Sequence, residues 1–81
     1  MIMESRRDKG KVLLELTKEE AIVLFDWLSR FNQVEKSELF SDQAEKRVLW
    51  DMECSIERVI SEIFVGDYTE ILSKARSKVR D

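Results

Sequence analysis

An 81-residue chain has room for one domain, and at this size folding buries only about 60% of the surface that the unfolded chain exposes, so little margin remains without a partner or a second copy. Apolar residues make up 43% and charged residues 38%, with two glycines and no proline, which excludes a disordered chain or a turn-rich β fold and points to helices around one core. The 14 Lys and Arg against 17 Asp and Glu leave a net charge of −3, which excludes a general attraction for phosphate backbones or anionic lipid.

Residues 1–9 carry Arg6, Arg7 and Lys9 without a periodic apolar pattern, which predicts a flexible tail over residues 1–10 followed by a single helical domain over residues 11–81. The same stretch lacks the apolar core of a secretion signal. One cysteine cannot close an internal disulfide, and the longest apolar run, residues 21–25, is far short of a membrane span. A reduced, cytoplasmic protein is expected.

Val12, Leu13, Leu14 and Leu16 form a compact apolar stretch, readable as a short strand or as an extended arm lying on the helices. A lone strand would leave its backbone groups unpaired and would have to pair with a copy or a foreign edge.

Thr17 followed by Glu20 has the spacing of a capping box and predicts a helix start. At 100° per residue, Ala21, Val23, Leu24, Phe25, Trp27, Leu28, Phe31 and Val34 share a broad arc, opposite Asp26, Ser29, Arg30 and Gln33. The pattern then breaks: Glu35, Lys36, Ser37 and Glu38 read as a solvated loop, with Leu39 and Phe40 as an anchor back to the core. Asp42 and Glu45 repeat the capping spacing, with Ser41 as an equally good cap. With no further Gly or Pro until Gly66, a helix of about six turns is expected, ended by that glycine. Its apolar stripe is Val48, Leu49, Met52, Ile56, Val59, Ile60 and Ile63. Asp67 and Glu70 give a third capping spacing, for a last helix from Tyr68 with Ile71, Leu72, Ala75 and Val79 inward. The expected fold is therefore mainly α: a three-helix antiparallel arrangement with a long central helix, preceded by a short N-terminal strand or extended arm.

Chemistry is sparse. No histidine is present to act as a general base, so catalysis is not expected. Cys54 stands beside Glu53 and Glu57, whose negative charge disfavours a thiolate. Those carboxylates have no His or Cys partners, and Lys46, Arg47 and Arg58 lie beside them as in an ordinary solvated helix face, so no metal is expected. Gly10 and Gly66 stand alone, which rules out a phosphate-binding loop and leaves no cofactor expected.

Trp50 is a large aromatic on the charged face of the second helix, either covered by the protein itself or offered to a partner with Arg47, Cys54 and Glu57 as its rim. The edges of the first helix raise the same question for Trp27 and Phe31. The basic Arg76, Lys78 and Arg80 could line up with phosphates, although cations in the last turns of a helix also stabilise its negative end.

The stretches LELTKEEAIVLFDWLSRFN and DQAEKRVLWDMECSIERVI, with the ending DYTEILSKARSKVRD, resemble a group of small bacterial proteins of uncharacterised function. The resemblance covers most of the chain after Gly10. It implies a free-standing cytoplasmic protein, and no functional residue carries over from it. The leading functional expectation is a non-catalytic protein-binding module of accessory, regulatory or immunity type, acting through Trp50, through the Lys11 to Leu16 segment with Val12 and Leu14, or through both. The alternatives are a nucleic-acid-binding regulator using the last helix and a structural homodimer.

Overall fold

The computed structural model describes residues 3–34, 37–61 and 65–81. A two-stranded antiparallel hairpin, β1 (Glu4–Asp8) and β2 (Lys11–Glu15), precedes three helices: α1 (Lys18–Asn32), α2 (Gln43–Val59) and α3 (Tyr68–Arg80). A single 3₁₀ turn, Ser37–Leu39, lies between α1 and α2. The molecule is mainly α, as the composition requires.

The hairpin corrects the reading of residues 1–10 as a tail, since Glu4–Asp8 is a strand. It also answers the question of the lone strand: β2 takes its partner from its own chain, with Ser5 opposite Leu14 and Arg7 opposite Val12. The cause is the Lys9–Gly10 pair. Both residues have positive φ, 48° and 80°, the conformation that a two-residue connection needs to match strand twist. Glu4 and Glu15 face each other across the ladder, and Arg6 relieves that repulsion by donating to Glu15 at 2.8 Å.

All three helices start where their caps predict. Thr17 and Glu20 complete a reciprocal capping box, each accepting from the other's backbone amide. Asp42 caps α2 by accepting from the Ala44 amide at 2.7 Å, while the Glu45 carboxylate reaches back to the Ser41 amide. Asp67 accepts from the Glu70 amide to open α3. The end of α2 departs from expectation: the helix closes at Val59, with Ile60 as its C-cap, after 17 residues. Gly66 does not end it; with φ of 94°, that glycine sits just before the Asp67 cap of α3. Glu35, Lys36, Glu62 and Ile63, placed in a loop or on α2 by the sequence pattern, lie outside the described residues.

Helix α1 packs against both α2 and α3. The core joins Ala21, Ile22 and Phe25 of α1 to Leu72 and Ala75 of α3 and to Ile60, with Leu16, Ile56, Tyr68 and Ile71 around it. The buried face of α1 is therefore rotated from the arc read off the sequence: Ile22 and Asp26 are inside, while Val34 and Trp27 are exposed. On α2 no residue is fully buried. Val48 and Val59 of its expected stripe are exposed, the latter by 75%, and the helix joins the core near its C-terminal end through Ile56 and Ile60. The expected anchor after α1 is divided, because Phe40 packs edge-on against Phe31 while Leu39 is exposed.

Candidate functional site: the exposed apolar surfaces

Three surfaces among the described residues carry candidate contact residues. The first is on α2. Arg47, Trp50, Cys54 and Glu57 are spaced by three or four residues, which puts them on one helix face, and all four are exposed. Trp50 is 47% accessible, so this protein does not bury it in its own core. The Lys46 ammonium lies over the Trp50 ring, 5.2 Å from its centre, a cation–π contact that covers one face of the indole. Arg47 turns away to Asp51 at 3.4 Å, and Cys54 is an exposed free thiol. At the inner side of α2, Asn32 of α1 donates its amide to Glu53 at 2.7 Å and to the Leu49 carbonyl at 3.4 Å.

The second surface is on the hairpin. Val12 and Leu14 are two residues apart on β2 and so share a face, opposite Arg7 and Ser5 of β1. Both are exposed, Val12 by 75%. The main packing relations run between the two strands, between α1 and α3 and between α1 and α2.

The third surface was not assembled from the sequence. Val23, Leu24 and Trp27 of α1, with Val79 of α3 and Met3, line an open groove of about 370 Å³. Glu20 lines it as well, and so do Arg30 and Arg76. Trp27 is 44% exposed and stacks on Phe31 with ring centroids 4.8 Å apart. The apolar spacing on α1 was visible as part of one broad arc. Which part of that arc would enter the core and which would line a groove was not.

Beside the groove lies the one charged side chain buried among the described residues. Asp26 is 8% exposed and accepts from the Tyr68 hydroxyl at 2.5 Å, from Arg30 Nε at 3.0 Å and from Arg76 at 3.3 Å. Burial by itself would raise the Asp26 carboxyl, but the hydrogen bonds from Tyr68 and Arg30, with the charges of Arg30 and Arg76, outweigh it and leave the group below the usual carboxylate value. The Tyr68 hydroxyl is pushed up to about 12, first by burial and then by the bond to Asp26 and its negative charge. This corrects the sequence reading of Asp26 as solvent-facing. The (i, i+4) relation to Arg30 was legible, but the arrival of α3 was not.

The same network bears on the basic helix. Arg76 is drawn to Asp26, Arg80 donates to Ser77 at 3.4 Å and Lys74 pairs with Glu70 at 3.0 Å, so the cations on α3 do not form an unengaged row. Lys78 is exposed. Among the described residues no group of three His, Cys, Asp or Glu side chains converges, and no helix is long and apolar enough to cross a membrane. No family model, curated protein or solved structure matches the chain.

Proposed function

We propose that the protein is a non-catalytic binding module, of accessory, regulatory or immunity type, that works by placing its α2 face and its hairpin against another protein. Its frame is an antiparallel three-helix arrangement with α2 as the long central member, and its kin are the small bacterial cytoplasmic proteins that the sequence resembles. The observation that carries the reading is the half-exposed Trp50 in a charged setting on a helix with no fully buried residue. An aromatic ringed by charge is the usual form of an interface anchor, since it brings a large apolar area while its neighbours set orientation. Exposed Val12 and Leu14, on a hairpin whose outer edges have no neighbouring strand among the described residues, supply a second contact by strand addition. The nucleic-acid alternative has less support, because Arg76 is engaged by Asp26 and the chain is acidic overall.

The test is affinity capture from the native cell with the wild-type chain and Trp50→Ala as paired baits. A defined protein retained by the first and lost by the second is the expected result. Recovery of no specific protein by the wild-type bait overturns the reading. In parallel, binding to mixed duplex and single-stranded probes that weakens steeply with salt and disappears on charge reversal at Lys78 and Arg80 would move the assignment to nucleic acid.

A further inference from the structure

We infer that the groove between α1 and α3 is a self-association surface, and that its occupant is the same groove of a second copy of this chain. Along α1 the groove residues fall at positions 20, 23, 24, 27 and 30, one continuous helical stripe. The stripe carries a carboxylate at one end, Glu20, and a guanidinium at the other, Arg30, with Val23, Leu24 and Trp27 between them. Arg76 reinforces the basic end. The single Asp26 carboxylate is shared by both arginines, so that end keeps one positive charge in excess.

This distribution is its own complement. Glu20 and Arg30 lie equally far along the helix on either side of Phe25, as do Val23 and Trp27. A two-fold axis at the level of Phe25 sets α1 antiparallel to the α1 of a second copy. Glu20 then meets Arg30, Arg30 meets Glu20, and Trp27 packs over Val23 in both directions. That reciprocity is what a closed two-fold interface requires.

The molecule has surface to spare for the contact. A compact monomer of 9.6 kDa exposes about 5,100 Å² by the usual size scaling, whereas this chain exposes 6655 Å². Its radius of gyration, 14.1 Å, likewise exceeds the roughly 12 Å of a compact domain of this length. That excess is spread over the hairpin, α2 and the groove, and the groove is the part of it whose charges complement their own two-fold copy. The inference does not rest on the Trp50 reading, because the two use different faces.

The experiment is solution mass by light scattering over a dilution series, with far-UV circular dichroism to confirm that each variant folds. The wild type is expected at twice the chain mass. Trp27→Glu and Val79→Glu, on the two walls of the groove, are expected to weaken association at least about thirtyfold, as loss of an interface anchor does. Glu20→Arg and Arg30→Glu are each expected to be monomeric alone, because each sets like charges against like. Mixing the two restores a dimer, since every facing pair is then of opposite sign. If either charge variant fails to fold, the two groove variants decide the matter, and either of those suffices without the other. Trp50→Ala is expected to leave the mass unchanged. A monomeric wild type, a dimer that survives Glu on a groove wall in a folded variant, or a dimer lost in Trp50→Ala overturns the inference.

Discussion

The two sides of α1 are built differently. Toward α3 it contributes Ile22 and Phe25 to a dry core and Asp26 to a network closed by Tyr68 and Arg76, residues 42 and 50 positions further along the chain. Toward α2 it finds a helix with no fully buried residue, held by Ile56, Ile60 and the bonds from Asn32. The hairpin resembles α2 in this respect, with four of the five residues of β2 exposed. The contrast separates the part that keeps the chain folded from the parts that are displayed. A small domain that spends its apolar residues on display must concentrate its stability elsewhere.

Substitutions should reveal that division. The largest loss is expected for Leu28→Ala, because Leu28 is fully buried and its truncation leaves a cavity; about 3 kcal/mol should disappear from the free energy of chemical unfolding. Asp26→Ala comes next, at about 2 kcal/mol, since it strands the Tyr68 hydroxyl and two guanidiniums, whose partial exposure keeps the cost below that of a fully buried ion pair.

The same network gives a pH signature. Asp26 is held below its ordinary value, so its contribution is complete above about pH 4 and is lost as pH falls through its lowered folded-state value. Tyr68 is raised to about 12, so its contribution is complete below about pH 10 and is lost as pH rises toward 12. Denaturation midpoints measured across pH should decline at both ends in the wild type. Tyr68→Phe should flatten the alkaline decline, and Asp26→Ala should flatten the acid one.

Gly10→Ala should cost about 1 kcal/mol, and the cost is purely conformational: a Cβ there meets no atom within 4 Å, but the backbone stands at φ of 80°. Val48→Ala on α2 should change stability by less than about 0.5 kcal/mol, because the side chain is already in water. A large loss at Val48, or a small one at Leu28, would erase the distinction between the buried residues and the displayed ones.

Helix starts were the most legible part of the chain, because a cap and the residue three positions later act locally and need no knowledge of the rest. The inward stripe of α3 was legible for the same kind of reason: Leu72 and Ala75 are buried, and Tyr68, Ile71 and Val79 are partly so. The stripe of α2 was equally periodic but is covered only in part, with Ile60 buried, Leu49, Met52 and Ile56 half-buried and Val48 and Val59 exposed, since periodicity shows that a helix has an apolar face and not how far this chain covers it. The hairpin was missed because β1 is ESRRD, a strand without apolar residues, whose partner is chosen by the Lys9–Gly10 turn rather than by burial. Asp26 was misread because its polarity suggested solvent, and only the approach of Tyr68 and Arg76 makes an inward carboxylate affordable. Of the candidate residues, Trp50, Val12 and Leu14 were singled out from sequence and are exposed, whereas the groove needed two helices to come together.

The separation in sequence between Asp26 and its partners on α3 also sets an order of events during synthesis. When synthesis has passed α2 the chain already contains Ile22 and Phe25, but the Leu72 and Ala75 that cover them have not yet been made. At roughly 5–20 residues per second, the interval until α3 is complete lasts about a second or more. Through that interval the first helix carries an uncovered apolar face and a carboxylate with Arg30 alone beside it. Closure of the core is therefore expected to wait for α3, and a ribosome stalled before Tyr68 should display a chain that binds a generic chaperone through α1.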